Sequence, residues 1–123
     1  MSKDNSKHNK EQGQIGEDLA AKYLTNNGYK IKAKNWRYHP YEIDIIASKE
    51  DVVVFVEVKL REDWDLLELW ETVSKGQQKR IVTAAHEYLL MNDIEYESRF
   101  DIIGVRITRG KVDIEHYEDA FWA

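Results

Sequence analysis

The chain has 123 residues, 42% of them apolar and 33% charged, with a net charge of −5 and no cysteine. That size and balance fit one soluble globular domain, and they exclude a disulfide framework, a thiolate zinc site and a cysteine nucleophile. No apolar run approaches the roughly 18 residues that span a bilayer, and net negative charge argues against a protein that coats nucleic acid by charge alone.

Residues 1–13 read as a flexible polar tail without a signal-peptide core, and 14–123 as a single domain. A reducing, cytoplasmic location fits this composition. Ile15 to Asn27 is predicted helical. Ile15, Leu19 and Tyr23 recur at helical spacing, and Ala20, Ala21 and Leu24 widen the apolar face. Gly28 suits the left-handed cap. Tyr29 to Ala33 alternates as a half-buried strand, with Tyr29, Ile31 and Ala33 on one side and Lys30 and Lys32 on the other.

Glu42 to Ala47 and Val52 to Leu60 are two further strands. Val52 to Val56 is the most β-prone run in the chain and reads as central. Ser48 to Asp51 suits a tight hairpin between them. Glu62 to Val73 reads as an acidic loop with at most one helical turn. Ser74 and Gln77 have capping-box spacing. A helix follows to about Leu90, with Ile81, Ala84, Ala85, Tyr88 and Leu89 inward. Phe100 to Ile107 and Val112 to Tyr117 are strands joined by Thr108-Arg109-Gly110. Phe121 and Trp122 should pack back on the domain or bury in a partner subunit. The order α, β, β, β, α, β, β gives an α/β sandwich, a mixed central sheet flanked by helices.

The segment richest in chemistry is Val52 to Leu60. Glu57 and Lys59 interrupt a run suited to burial, and alternation puts them on one face of the strand. An unpaired buried charge costs several kcal/mol. The plain reading is a strand end carrying an ion pair. Asp44, inside Ile43-Asp44-Ile45-Ile46, shifts the balance. If residues 48–51 close the hairpin, Asp44 lies opposite Phe55 and diagonal to Glu57, on the same face; an odd loop or a bulge would reverse that parity. Two carboxylates forced together repel unless a cation neutralises them, and a hard divalent ion is the natural partner.

Glu17 shares a helical stripe with Ala20, Ala21 and Leu24, so it either points into this site or stands exposed in the helix's first turn. Gln77 and Lys79 lie where helix amides favour anions, although Gln77 can equally serve the cap. Lys30, Lys32, Lys34 and Arg37 form a stretch of bases without an acid, which is either a solvated face or a track for a polyanion. Trp36 could stack on a base or pack in the core. His8, His39, His86 and His116 show no metal-ligand spacing.

These residues carry a resemblance. Ile15-Gly16-Glu17-Asp18-Leu19-Ala20, Asn35-Trp36-Arg37, Glu42-Ile43-Asp44-Ile45-Ile46, Phe55-Val56-Glu57-Val58-Lys59-Leu60-Arg61 and Arg99-Phe100-Asp101 occur in the order seen in the YraN-like family of small bacterial proteins. That family is similar to the restriction-endonuclease-like superfamily, whose signature is Asp followed by Glu/Asp-x-Lys. Ile43 stands where the superfamily often has proline, and Tyr41 where the family usually has glycine.

The resemblance implies a restriction-endonuclease-like αβββαβ core. It implies that Asp44 and Glu57 hold Mg²⁺ or Mn²⁺ near the Val58 carbonyl, with Glu17 on the metal directly or through water, and that Lys59 positions the attacking water. It matches Gln77 and Lys79 to second-helix polar positions that often complete such sites; with Lys34 and Arg37 of the basic stretch, these are the expected nucleic-acid contacts. The expected function is metal-dependent hydrolysis of DNA, branched or damaged DNA included, by a chain that does not enter membranes and could form a homodimer. Two alternatives stand beside it: a nucleic-acid-binding module without turnover, and an assembly protein whose carboxylates form an ion-pair cluster.

Overall fold

The computed structural model describes the backbone of residues 2–61 and 73–122 and the side chains of residues 13–60 and 73–122. All but the last residue of the Glu62–Val73 segment therefore lies outside the described residues. The elements run α1 Ser2–Asn26, β1 Lys30–Tyr38, β2 Tyr41–Lys49, β3 Val52–Arg61, α2 Lys75–Met91, β4 Glu97–Thr108 and β5 Lys111–Phe121. Among the described residues no helix is long and apolar enough to cross a membrane.

α1 begins at Ser2 rather than Ile15. Lys, Glu and Gln are good helix formers, so the polar segment extends the helix without contributing an apolar stripe. Its buried line is Gly16, Ala20 and Leu24, whereas Ile15 is 48% exposed. The expected stripe was thus centred one residue too early. Small residues explain the rotation: a Cβ on Gly16 would already stand 3.4 Å from the Leu60 Cβ. The helix lies close on β3 there, and Glu17 turns inward with it. Gly28, at φ 88°, ends the helix as expected.

The β2–β3 hairpin is tighter than expected. Glu50 and Asp51 both take positive φ, 50° and 63°, which is the two-residue turn whose twist matches a hairpin. Lys49 therefore pairs with Val52, and Ile46 rather than Asp44 stands opposite Phe55. The shift is two residues, so face parity survives. A similar turn joins β4 to β5 through Arg109 and Gly110, φ 52° and 77°. β3 and β4 are parallel, linked through α2, and the other neighbours are antiparallel in the order β1-β2-β3-β4-β5.

The result is a mixed five-stranded sheet with a helix on each face, the α/β sandwich expected. One core layer joins Ile46, Phe55, Phe100 and Ile102 to Ile81, Ala84, Ala85 and Tyr88 of α2. The other joins Val54, Val56, Ile103 and Val105 to Ala20 and Leu24 of α1. Leu89 is only partly buried. Ile31 and Ala33 were expected on one side. A register shift between them sends Ile31 to the α1 layer and Ala33 to the α2 layer. Trp36 packs edge-on against Tyr88, with centroids 5.3 Å apart, so its indole serves the core.

One polar network crosses the α1 layer. Asp101 is fully buried. It accepts two hydrogen bonds from Arg99, one from His116 Nε2 at 2.7 Å and one from the Asp119 amide. Tyr23 Oη lies 3.0 Å from the other His116 ring nitrogen. Burial alone would raise the Asp101 carboxyl, but these hydrogen bonds outweigh it and hold the group below its ordinary value. The network ties α1 to β4 and β5.

Phe121 and Trp122 part company. Phe121 is buried and stacked on Phe100 at 5.2 Å, while Trp122 is 77% exposed. Phe121→Ala should therefore cost about 3 kcal/mol or more, and Trp122→Ala should change stability by less than about 0.5 kcal/mol. Urea unfolding of the two variants checks the contrast; equal losses would mean that the indole also carries packing.

Candidate functional site

At one end of the sheet β3 changes character. Val53 to Val56 are buried and apolar, yet the next residue is Glu57, only 9% exposed, followed at i+2 by Lys59. The hairpin register ends at Ile45 opposite Val56, so Asp44 stands beside Glu57 just past the last pair. The Asp44 Oδ2 accepts the Val58 N–H at 2.8 Å. Glu57 Oε1 accepts from the Gln77 side chain at 2.9 Å and lies 3.7 Å from Lys59 Nζ. Asp44, Glu57 and Lys59 thus converge as expected.

Burial first, then the neighbouring Glu57, pushes the Asp44 carboxyl up to about 7. Burial also raises Glu57, against the pull of Lys59 and a hydrogen bond with Asp44. The pair therefore gives up its second proton less readily than two separate carboxylates would, because burial and mutual repulsion both oppose a second charge. One ammonium does not satisfy two carboxylates, one buried and one half-buried.

Glu17 approaches from α1 on the other face. Burial raises its carboxyl, Asp44 and Glu42 raise it further, and a hydrogen bond from Asn35 opposes them. Asn35 sits at φ 52°, a conformation asparagine tolerates better than most residues. Glu17 is thus half-buried and within electrostatic reach of the pair. It does not close with them into a ready ligand set: among the described residues no three His, Cys, Asp or Glu side chains converge tightly enough to hold a metal. Asp44 and Glu57 together still fit Mg²⁺, which is commonly held by one or two carboxylates while its remaining positions stay hydrated.

A cleft of about 270 Å³ opens on the pair, lined by Pro40, Tyr41, Glu42, Asp44, Glu57, Gln77, Arg80 and Ile81. Gln77 is both cap and site residue. Its backbone N–H donates to Ser74 Oγ, and its side chain donates to Glu57. Lys79 does not line this cleft; it borders a separate groove. Arg80 lines it instead, and sequence reasoning missed it. The signal was present in the spacing: Gln77, Arg80, Ile81 and Ala84 make one helical face. Lys34 is paired with Asp18, and the exposed Arg37 lies 3.4 Å from Glu42 at the cleft.

The chain matches the model of the uncharacterised protein family UPF0102 over residues 16–105. A UPF0102 protein of Flavobacterium psychrophilum is 44% identical over 110 residues, covering 89% of this chain and 92% of its own. One from Alkaliphilus oremlandii is 43% identical over 116 residues, covering 92% and 99%. One from Parabacteroides distasonis is 41% identical over 111 residues, covering 90% and 92%. The matched span contains Glu17, Asp44, Glu57, Lys59, Gln77 and Arg80.

A pH dependence follows from the raised carboxyl. Asp44 binds its proton more tightly folded than unfolded, so its contribution to stability is fully present below about pH 4. It is lost as pH rises towards and through about 7. Without metal, Asp44→Asn should match the parent near pH 4 and exceed its stability at pH 8, because the amide keeps the acceptor for Val58 and cannot ionise. Urea unfolding at both pH values decides it. A variant equally destabilised at both would show that the Asp44 charge is a paired structural element.

Proposed function

The chain belongs to the uncharacterised protein family UPF0102, and from its site we propose that it is a metal-dependent phosphodiesterase acting on nucleic acid, DNA foremost. The observation that carries this reading is the pair of half-buried Asp44 and buried Glu57 lining an open cleft, with Lys59 3.7 Å from Glu57. The sequence order Asp, then Glu-x-Lys, is that of the restriction-endonuclease-like superfamily, and the αβββαβ arrangement agrees with it.

Asp44 and Glu57 would hold Mg²⁺ or Mn²⁺, with Glu17 at the margin. A divalent ion bound there polarises the phosphate and lowers the pKa of a bound water. The protein's own part is positional. The Val58 amide fixes Asp44, and Gln77 fixes Glu57. Lys59 offers an ammonium for charge that builds on phosphate oxygens as water adds and the ester oxygen leaves. Arg80, on the α2 wall, offers a planar guanidinium suited to a flanking phosphate.

A second reading draws on the Glu57 contacts themselves. Gln77 and Lys59 already satisfy much of that carboxylate, as they would in an ion-pair cluster that only fastens β3 to α2. The two readings separate on metal. Calorimetric titration with Mn²⁺ should show binding that Asp44→Asn abolishes, and equal binding by both proteins would favour the cluster.

Turnover gives the sharper test. On a panel of single-stranded, duplex and branched DNA and RNA with Mg²⁺ or Mn²⁺, the intact chain should cleave at least one substrate. Lys59→Met should keep the fold and metal affinity while losing about 10²–10³ in single-turnover rate. Lys59→Arg should not restore it, because a planar fork does not replace a compact ammonium. A Lys59→Met variant as fast as the parent would deprive the reading of its mechanism.

A further inference from the structure

The groove that borders Lys79 has its own chemistry. It encloses about 460 Å³ between α2 and the end of β5, lined by Lys75, Gln78, Lys79, Val82, Thr83 and Trp122. We propose that this groove stacks an unpaired base, so that the substrate of the cleft carries a single-stranded segment. This rests on the phosphodiesterase reading only for what happens in the cleft.

Trp122 is the most exposed of the chain's large apolar side chains among the described residues, at 77%. It is nevertheless held in place. The preceding Phe121 is buried in the aromatic stack with Phe100, and the indole N–H donates to Asp119 Oδ1 at 3.1 Å. An indole fixed at one edge with its face free is what base stacking needs, and stacking is indifferent to sequence because every base has a π-face.

Charge points the same way. The chain carries −5 overall, yet among the described residues the groove's lining holds two ammonium groups and no carboxylate, the Asp119 carboxylate lying at the indole's N–H edge. A floor of Val82 and indole flanked by lysines complements a strand with apolar base faces and a charged backbone. An acidic peptide would use the lysines and leave the indole without a flat partner.

Position links the two sites. Gln77 and Arg80 line the cleft, while Lys75, Gln78, Lys79 and Val82 lie on the other side of the same helix turns. To use both hollows, a strand leaving the carboxylate pair would pass around the start of α2 to Trp122. A base inside a duplex hides both its faces in the stack, so only an unpaired nucleotide can use the indole.

The test is binding of a labelled short oligothymidylate and of a duplex of equal length, followed by fluorescence anisotropy in EDTA so that no cleavage occurs. The intact chain should prefer the single strand. Trp122→Ala should weaken single-strand binding roughly 5- to 150-fold and leave duplex binding nearly unchanged. Trp122→Phe should keep most of the affinity. Lys79→Ala should reduce the slope of log affinity against log salt by about 0.7. Tyr96→Ala, an exposed aromatic elsewhere, should change nothing.

Undetectable binding by the intact chain overturns the inference, as does equal single-strand affinity in the parent and Trp122→Ala. A fall in sedimentation mass in Trp122→Ala without loss of oligonucleotide affinity also overturns it, and assigns the groove to a second copy of the chain. Trp122-dependent binding without cleavage of any substrate would sustain this inference and defeat the phosphodiesterase reading instead.

Discussion

Asp44 and Glu57 meet because the hairpin between them closes in two residues. Glu50 and Asp51 accept positive φ, the strands pair through to Lys49 and Val52, and the carboxylates come to stand side by side where that pairing ends. A sheet is unforgiving here. A one-residue slip would send Asp44 to the opposite face and leave Glu57 buried with only Lys59 and Gln77. The strand that makes the core is therefore also the ruler that sets the site.

The site draws on all three layers. The sheet supplies the carboxylate pair and Lys59, α2 supplies Gln77 and Arg80, and α1 brings Glu17 from the far side. Each helix is held where these contacts need it. Gly16 lets α1 settle onto β3 beside Leu60, and the network of Tyr23, His116, Asp101 and Arg99 fastens the same helix further along. Ser74 and the layer of Ile81, Ala84 and Tyr88 hold α2. The buried charges stand at opposite ends of the electrostatic range. Asp101 is surrounded by donors that hold its carboxyl below the usual range; Asp44 and Glu57 face each other, and burial raises both. The first arrangement fastens a fold, and the second sets two carboxylates beside one ammonium.

In a chain with 18 Lys and Arg against 23 Asp and Glu, where each cation sits matters more than how many there are. Lys34 and Arg37 each lie against an acid, Asp18 and Glu42. The bases lining the two hollows of α2, Arg80 in the cleft and Lys75 and Lys79 in the groove, sit on different sides of one helix. Screening confines such charges to a reach of about 8–10 Å at ordinary salt, so local placement matters more than the total of −5.

Much of the fold was legible in the residues. The β-prone run from Val52 to Val56, the helical spacing from Ile81 to Tyr88, Ser74 before Gln77, and Gly28 after a helical run each report a local preference, and local preferences survive folding when neighbours agree with them. The same alternation placed Glu57 and Lys59 on one face and kept Asp44 on it. What the residues could not disclose depends on contacts between distant segments. The hairpin turn required two non-glycine residues at positive φ, which only strand pairing enforces. The bulge after Ile31 and the rotation of α1 onto Gly16 answer to the opposing layer. Arg80 replaced Lys79 because helix phase is set by which side meets the sheet. Phe121 and Trp122, adjacent and alike in hydropathy, parted because one found the ring of Phe100 and the other did not. Sequence determined which residues could form each element and which charges an apolar strand had to accommodate; tertiary structure decided which of those charges would share a site, because burial and proximity belong to no residue alone.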